Sequence, residues 1–228
     1  MAIIIKDYKT KTTDGTLSLS FSGKNRGCIV IICQNDSTSG DPHIISIACD
    51  GKTMIQAGTI GYDNNTAYGR LWVYYYINPG IGTKNIILDT SIAQAMKWGA
   101  YAVSGIRQSL PVSEVKCAGG HALSSPQTLT FSAADTNGII IYGKSDGYAQ
   151  GQDFNTIVYP NIEKKEAVQL TAYNATYGFG VIAVSFHAIS GGSGVSFGPY
   201  FRLFKNFELP WKKQGSLWLP NNEGIQTI

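Results

Sequence analysis

The sequence is poor in charge and in the residues that do chemistry. Of its 228 residues only 14% are charged, the net charge is +3, and three are histidines. The lysines and arginines are scattered, so the broad basic face of a dedicated nucleic-acid binder is missing, and no specific nucleic acid is expected as a partner. No apolar run approaches the roughly 18 to 20 residues needed to cross a bilayer as a helix. The N-terminal "MAIIIKDYKT" lacks the charged, apolar and cleavage regions of a secretory signal. A soluble protein made in the cytoplasm is the expectation. Its final location is a separate matter.

Chemical motifs are equally scarce. No glycine-rich motif follows a strand and opens a helix, so the 26 glycines read as turns and close-packed strand positions, and no cofactor is implied. Among the four cysteines, Cys28, Cys33, Cys49 and Cys117, no CxxC pair occurs. If Cys28 and Cys33 share a strand, their odd spacing sends them to opposite faces about 16 Å apart, which excludes a disulfide or a shared metal between them. Buried free thiols are the expectation for all four. Asn64-Asn65-Thr66 and Asn174-Ala175-Thr176 match the glycosylation acceptor in form, but without a secretory signal they carry no weight.

What the sequence has is alternation. Hydrophobic residues make up 43% of the chain, enough for one substantial core, and period-two patterns recur while a sustained amphipathic helix is absent. "GTLSLSFSG" sets Leu17, Leu19 and Phe21 on one face and Thr16, Ser18, Ser20 and Ser22 on the other; "QTLTFSAA" repeats this with Leu129 and Phe131. "GCIVIICQN" and "NGIIIYG" are apolar on both faces and read as central strands covered on each side. "HIISIACDGKTMIQAG" reads as two strands turning at Asp50-Gly51; Asp14-Gly15, Asn137-Gly138 and Asp146-Gly147 give similar turn signals. Further strands are expected at "NIILDT", "KWGAYAVSGI", "AVQLTAYNAT" and "GFGVIAVSFHAI". About ten short strands with turns between them predict an all-β protein, an antiparallel, jelly-roll-like β-sandwich over residues 1–189.

Residues 190–194 form a Gly/Ser linker by composition. Residues 195–228 are different: Phe197, Tyr200, Phe201, Phe204, Phe207, Trp211 and Trp218 make an aromatic-rich extension unsuited to float free in water. It reads either as a strap over its own sandwich or as an arm docking onto a neighbouring subunit. Phe201, Phe204 and Lys205 fit one short helical turn, limited by Pro210.

Candidate chemistry is thin. His187 alternates with Ser185 and Ala183 opposite the heavier face of Ile182, Val184 and Phe186, which makes it a structural or exposed histidine. Cys117 lies four positions before His121, but no second Cys/His pair is near and "CAGG" reads as a loop. Asp63, Asp89, Glu114 and Asp153 are acids near turns, and Asp146 and Asp153 flank "GYAQGQ" without the spacing of a calcium loop. No catalytic or metal site is therefore assigned.

The densest aromatic stretch is "LWVYYYINPGIGTKNIIL", residues 71 to 88. Strand parity places Trp72, Tyr74 and Tyr76 on one face and Leu71, Val73, Tyr75 and Ile77 on the other, the second being the expected core. The first face is either a stacking platform for glycan rings or a surface covered by a loop, the C-terminal segment or another subunit.

Read in order, "CDGKTMIQAG", an aromatic strand ending in Pro-Gly-x-Gly-Thr, "YAVSGIRQSLPV" and the closing strand "GFGVIAVSFHAI" resemble a β-sandwich family of phage virion and tail proteins and bacterial surface proteins, over roughly residues 15 to 189. The resemblance implies a non-enzymatic module of tails, fibres, adaptors or capsid decoration, located in the virion, whose partners are other copies of itself and other virion proteins. It carries no catalytic residues, and the tail after Gly194 lies outside it. Phe201, Phe204, Phe207, Trp211 and Trp218 are the expected subunit-interface anchors. The alternative is a carbohydrate-binding module for host-surface attachment through Trp72, Tyr74 and Tyr76.

Overall fold

The computed structural model describes residues 2–36, 44–63, 68–90, 96–120, 127–130, 137–146, 155–160, 167–170, 179–189, 211–214 and 217–220. The described regular structure is all β, and every strand pairing is antiparallel. The chain divides into two compact units, Met1–Gly191 and Gly192–Ile228, and the division falls within the Gly/Ser segment.

Among the described residues of the first unit, three sheets have four or five strands. One has the order β1-β9-β3-β7-β6, from β1 (Ile4–Lys11), β9 (Met96–Ser104), β3 (Gly27–Asp36), β7 (Tyr68–Ile77) and β6 (Ile55–Asp63). The second runs β2-β8-β4-β5, from β2 (Gly15–Phe21), β8 (Gly82–Thr90), β4 (Ile44–Cys49) and β5 (Lys52–Thr53). The third runs β10-β15-β12-β13, from β10 (Val112–Gly120), β15 (Phe179–Phe186), β12 (Ile139–Asp146) and β13 (Asn155–Pro160). A small pair joins β11 (Gln127–Thr130) and β14 (Ala167–Leu170).

The five-stranded sheet is the middle layer of a sandwich. Cys28, Val30 and Ile32 of β3, with Trp72, Tyr74, Trp98 and Ala100, pack against Leu17, Leu19, Phe21, Ile47, Cys49, Ile86 and Leu88 of the second sheet. The alternate residues Ile29, Ile31 and Cys33, with Leu71, Val73, Tyr101 and Val103, pack against Ile139, Ile141, Ile182, Val184 and Phe186 of the third. A strand buried on both faces must be apolar at every position, which is what "CIVII" is. Cys28 and Cys33 accordingly point into different interlayers, as their spacing predicts. The outer face of the second sheet keeps the hydroxyls of Thr16, Ser20 and Thr83 in solvent, and there Ser18 Oγ donates to Asn85 Oδ1 at 2.8 Å.

The turn chemistry holds at Asp50-Gly51. Cys49 pairs directly with Lys52, and the two loop residues have φ of 53° and 71°. A two-residue hairpin needs positive φ at both positions, and Asp-Gly supplies it.

Within the first unit three described strands escape the sequence patterns: β1, β10 and β13. Each is the edge of its sheet. An edge strand has one neighbour and carries charge against stray pairing, so its alternation is diluted, as in "IIKDYKTK" and "VSEVKCAGG". The segment containing Cys117, Gly119 and Gly120 is therefore strand rather than loop, while His121 lies outside the described residues.

In the second unit, β16 (Trp211–Gln214) and β17 (Leu217–Pro220) form an antiparallel hairpin with Lys213 opposite Trp218. Phe201, Phe204 and Phe207, and the helical turn expected around the first two, lie outside the described residues, as do Phe131, Gly147 and Asp153.

Candidate functional site

The aromatic strand β7 lies between β3 and β6, with Trp72 opposite Ile32 and Thr59 and Tyr74 opposite Val30 and Gln56. Trp72 is 4% and Tyr74 9% exposed, and both are built into the core between the middle layer and the second sheet. Tyr76 is half-buried against the same cluster. Tyr74 Oη donates to Gln56 Oε1 at 3.2 Å, and burial raises the phenol's pKa. Stacking on glycan rings, as expected of Trp72, Tyr74 and Tyr76, needs open ring faces; Trp72 and Tyr74 are instead buried against the second sheet of the same chain, and Tyr76 is half-buried. The opposite face is core as well: Leu71 and Val73 are fully buried, and Tyr75 meets Phe186 edge-on with centroids 6.2 Å apart.

The scattered chemical residues stay apart. Cys117 is exposed on β10, Asp89 is exposed on the outer face of β8, and Glu114 of β10 pairs with Lys116 at 2.7 Å. His187 is half-buried just past β15; its backbone N donates to Pro111 O at 2.7 Å, and its carbonyl accepts from Arg107 N at 3.0 Å. Among the described residues no group of three or more His, Cys, Asp or Glu side chains is placed to hold a metal ion.

Instead, the structure gathers the turn segments noted in the sequence at one end of the sandwich. Arg26, which no sequence pattern singles out, is the hub. Its Nε donates to Pro79 O at 2.7 Å, one terminal nitrogen donates to Gly23 O at 2.8 Å and the other to Asn78 Oδ1 at 3.1 Å. Its carbonyl accepts from Asn78 N at 2.8 Å and from Gln108 Nε2 at 3.3 Å. The loop after β7 and the loop after β9 are thus tied to one residue. Gly105 N and Ile106 N add bonds to Lys24 O and Asn25 O, both 3.1 Å.

Several residues of "SGIRQSLPV" have a structural task here. Gly105 has φ +81°, and a Cβ there would press on the Ala2 carbonyl oxygen. Gln108 Nε2 also donates to Ile106 O at 2.9 Å, and the Pro111 carbonyl anchors the segment just after β15 by accepting from His187 N. Leu110 differs. It has φ +49°, a conformation disfavoured for a bulky side chain, yet it is 77% exposed, so little burial offsets the strain. Ile81, in the other Arg26-tied loop, is 71% exposed. Ile189 N bonds to Gly105 O at 2.8 Å, so the described part of the first unit ends beside this cluster.

Comparison of the chain with protein-family models, with curated proteins and with solved structures found no match.

Proposed function

We propose that this chain is a structural subunit of a bacteriophage virion, in the tail, a fibre or adaptor, or the capsid decoration, working by self-assembly rather than catalysis. The observation that carries the assembly reading is Leu110: a branched apolar side chain held in solvent, in a strained backbone conformation, by loops that are themselves hydrogen-bonded. Strain retained at an exposed apolar residue is explained when a partner completes its burial. The partner is a second copy of the chain, met through Leu110 and Ile81 and through the aromatic residues of the C-terminal unit, Phe201, Phe204, Phe207, Trp211 and Trp218. The virion setting rests on the resemblance of the turn segments to phage and surface β-sandwiches; the bonds around Arg26 give those segments a shared structural role.

The test is mass by light scattering over a wide concentration range for the full chain, Leu110→Asp, and a chain lacking residues 192–228. Self-assembly predicts an oligomer that either change disrupts while the folded signal is kept. A full chain that stays monomeric at all concentrations refutes the assembly reading. Electron microscopy of particles labelled against the protein tests the virion setting separately.

A further inference from the structure

Cys28 and Cys49 come from different sheets. Cys28 leaves β3 toward the second sheet, Cys49 ends β4 facing back, and both side chains are completely buried in the interlayer they share. Their backbones are brought together by independent ties. Arg26, two residues before Cys28, bonds to Pro79 O. The next residue, Gly80, lies against Lys84 and the carboxylate of Asp50, which is bridged to Lys84 at 3.0 Å and directly follows Cys49. The two buried thiols are near enough for Cys49 to perturb Cys28, and both are free thiols. The other cysteines do not compete: Cys33 lies in the opposite interlayer and Cys117 is exposed on β10.

We propose that Cys28 and Cys49 are a disulfide-forming pair that staples the second sheet to the middle layer when the chain folds in an oxidising thiol–disulfide environment. The co-reactant is a low-molecular-weight disulfide. A thiolate of the pair attacks one of its sulfurs and expels a thiolate. The second protein thiol, losing its proton, attacks the resulting mixed disulfide and expels the protein's partner group as a second thiolate. One S–S bond forms in the protein, one breaks in the reagent, and the two protons end on the two reagent thiols. Burial, together with the neighbouring Cys49 thiol, raises the Cys28 pKa, and no solvent reaches either sulfur. The exchange therefore belongs to the folding chain, or to a transiently opened sandwich, and the closed native protein resists it. Once made, the bond closes a ring of about 20 residues and restricts the unfolded chain.

The experiment uses the full chain, reduced and unfolded, then refolded in a mixture of oxidised and reduced glutathione and alkylated. The expected product has lost about 2 Da relative to the reduced protein, the mass of two hydrogens, and retains two alkylatable thiols. Cleavage before aspartates separates Cys49 from the other cysteines, and fragmentation of the linked peptide assigns Cys28 as its partner. The unfolding constant falls roughly 100-fold relative to reduced protein and recovers on reduction. Native reduced protein in the same buffer oxidises far more slowly than the refolding chain. Four alkylated thiols after refolding, a link from Cys49 to Cys33 or Cys117, or an oxidised form less stable than the reduced one would each overturn the proposal. The result does not depend on oligomeric state, so it stands or falls apart from the assembly reading.

Discussion

Gly69→Ala should destabilise the protein strongly, against the usual direction for such a change. Glycine inside a strand is ordinarily about 0.5–1 kcal/mol worse than alanine, so the substitution alone favours folding. Gly69, however, lies opposite Tyr62 in the β6–β7 pair, and a Cβ at position 69 would overlap Cζ, the hydroxyl and Cε1 of the Tyr62 ring. The ring lies flat over the glycine, and its hydroxyl hydrogen-bonds with buried Ser145 of β12 in the third sheet. Alanine forces the ring away. Re-exposing about half of a tyrosine side chain forfeits about 2 kcal/mol at roughly 25 cal/mol per Å². Losing the buried hydroxyl pair adds about 1–2 kcal/mol. After subtracting the alanine gain, the net loss is about 2–4 kcal/mol, a large part of a typical stability of roughly 5–15 kcal/mol. Urea unfolding followed by tryptophan fluorescence measures it. In a Tyr62→Ala background the ring that a Cβ at position 69 meets first is gone, so Gly69→Ala becomes neutral or stabilising there. A neutral effect in the wild-type background, or an equal loss in both, refutes the packing argument.

Trp72→Ala removes a ring from a packed interlayer and should cost about 3–5 kcal/mol in urea unfolding; unchanged stability would restore the view of an exposed platform. Alkaline pH should weaken the fold. Burial pushes the Cys33 thiol up to about 12 from 9.0 and raises the Cys28, Tyr74 and Tyr101 pKa values as well. The folded state thus holds protons that the unfolded state releases above pH 9. Stability present below that pH is lost toward pH 12 at up to about 1.4 kcal/mol per pH unit for each fully buried group. A urea midpoint that stays level from pH 8 to 11 contradicts this. Leu110→Asp should abolish self-association while leaving the urea midpoint within about 0.5 kcal/mol, as an exposed residue away from the core does; a large loss of stability would show that Leu110 is packed.

Much of the fold was legible. The alternation of "GTLSLSF" identifies a strand with one wet face because a single sheet covers it. The continuous apolar run of "CIVII" identifies a strand covered twice. Edge strands β1 and β10 were illegible because charge and glycine, which protect an edge, dilute the pattern that marks a strand. The candidate site was less legible still. Arg26 looks like any surface arginine until the loops around residues 79 and 108 are brought to it from positions more than 50 apart in sequence. Leu110 was hidden because its backbone angle is not a property of "SLPV" but of the bonds on either side of that loop.

By itself the sequence determined the all-β class, the faces of each central strand and the Asp50-Gly51 turn, because these follow from side-chain alternation and local backbone preference. Only the tertiary structure decided that Trp72 and Tyr74 are core with Tyr76 half-buried against them, that Cys28 and Cys49 share one interlayer, and that the turn segments converge on Arg26. Parity says which residues share a face, but what covers that face arrives from elsewhere in the chain. In a sandwich of three layers both faces of the middle sheet are taken.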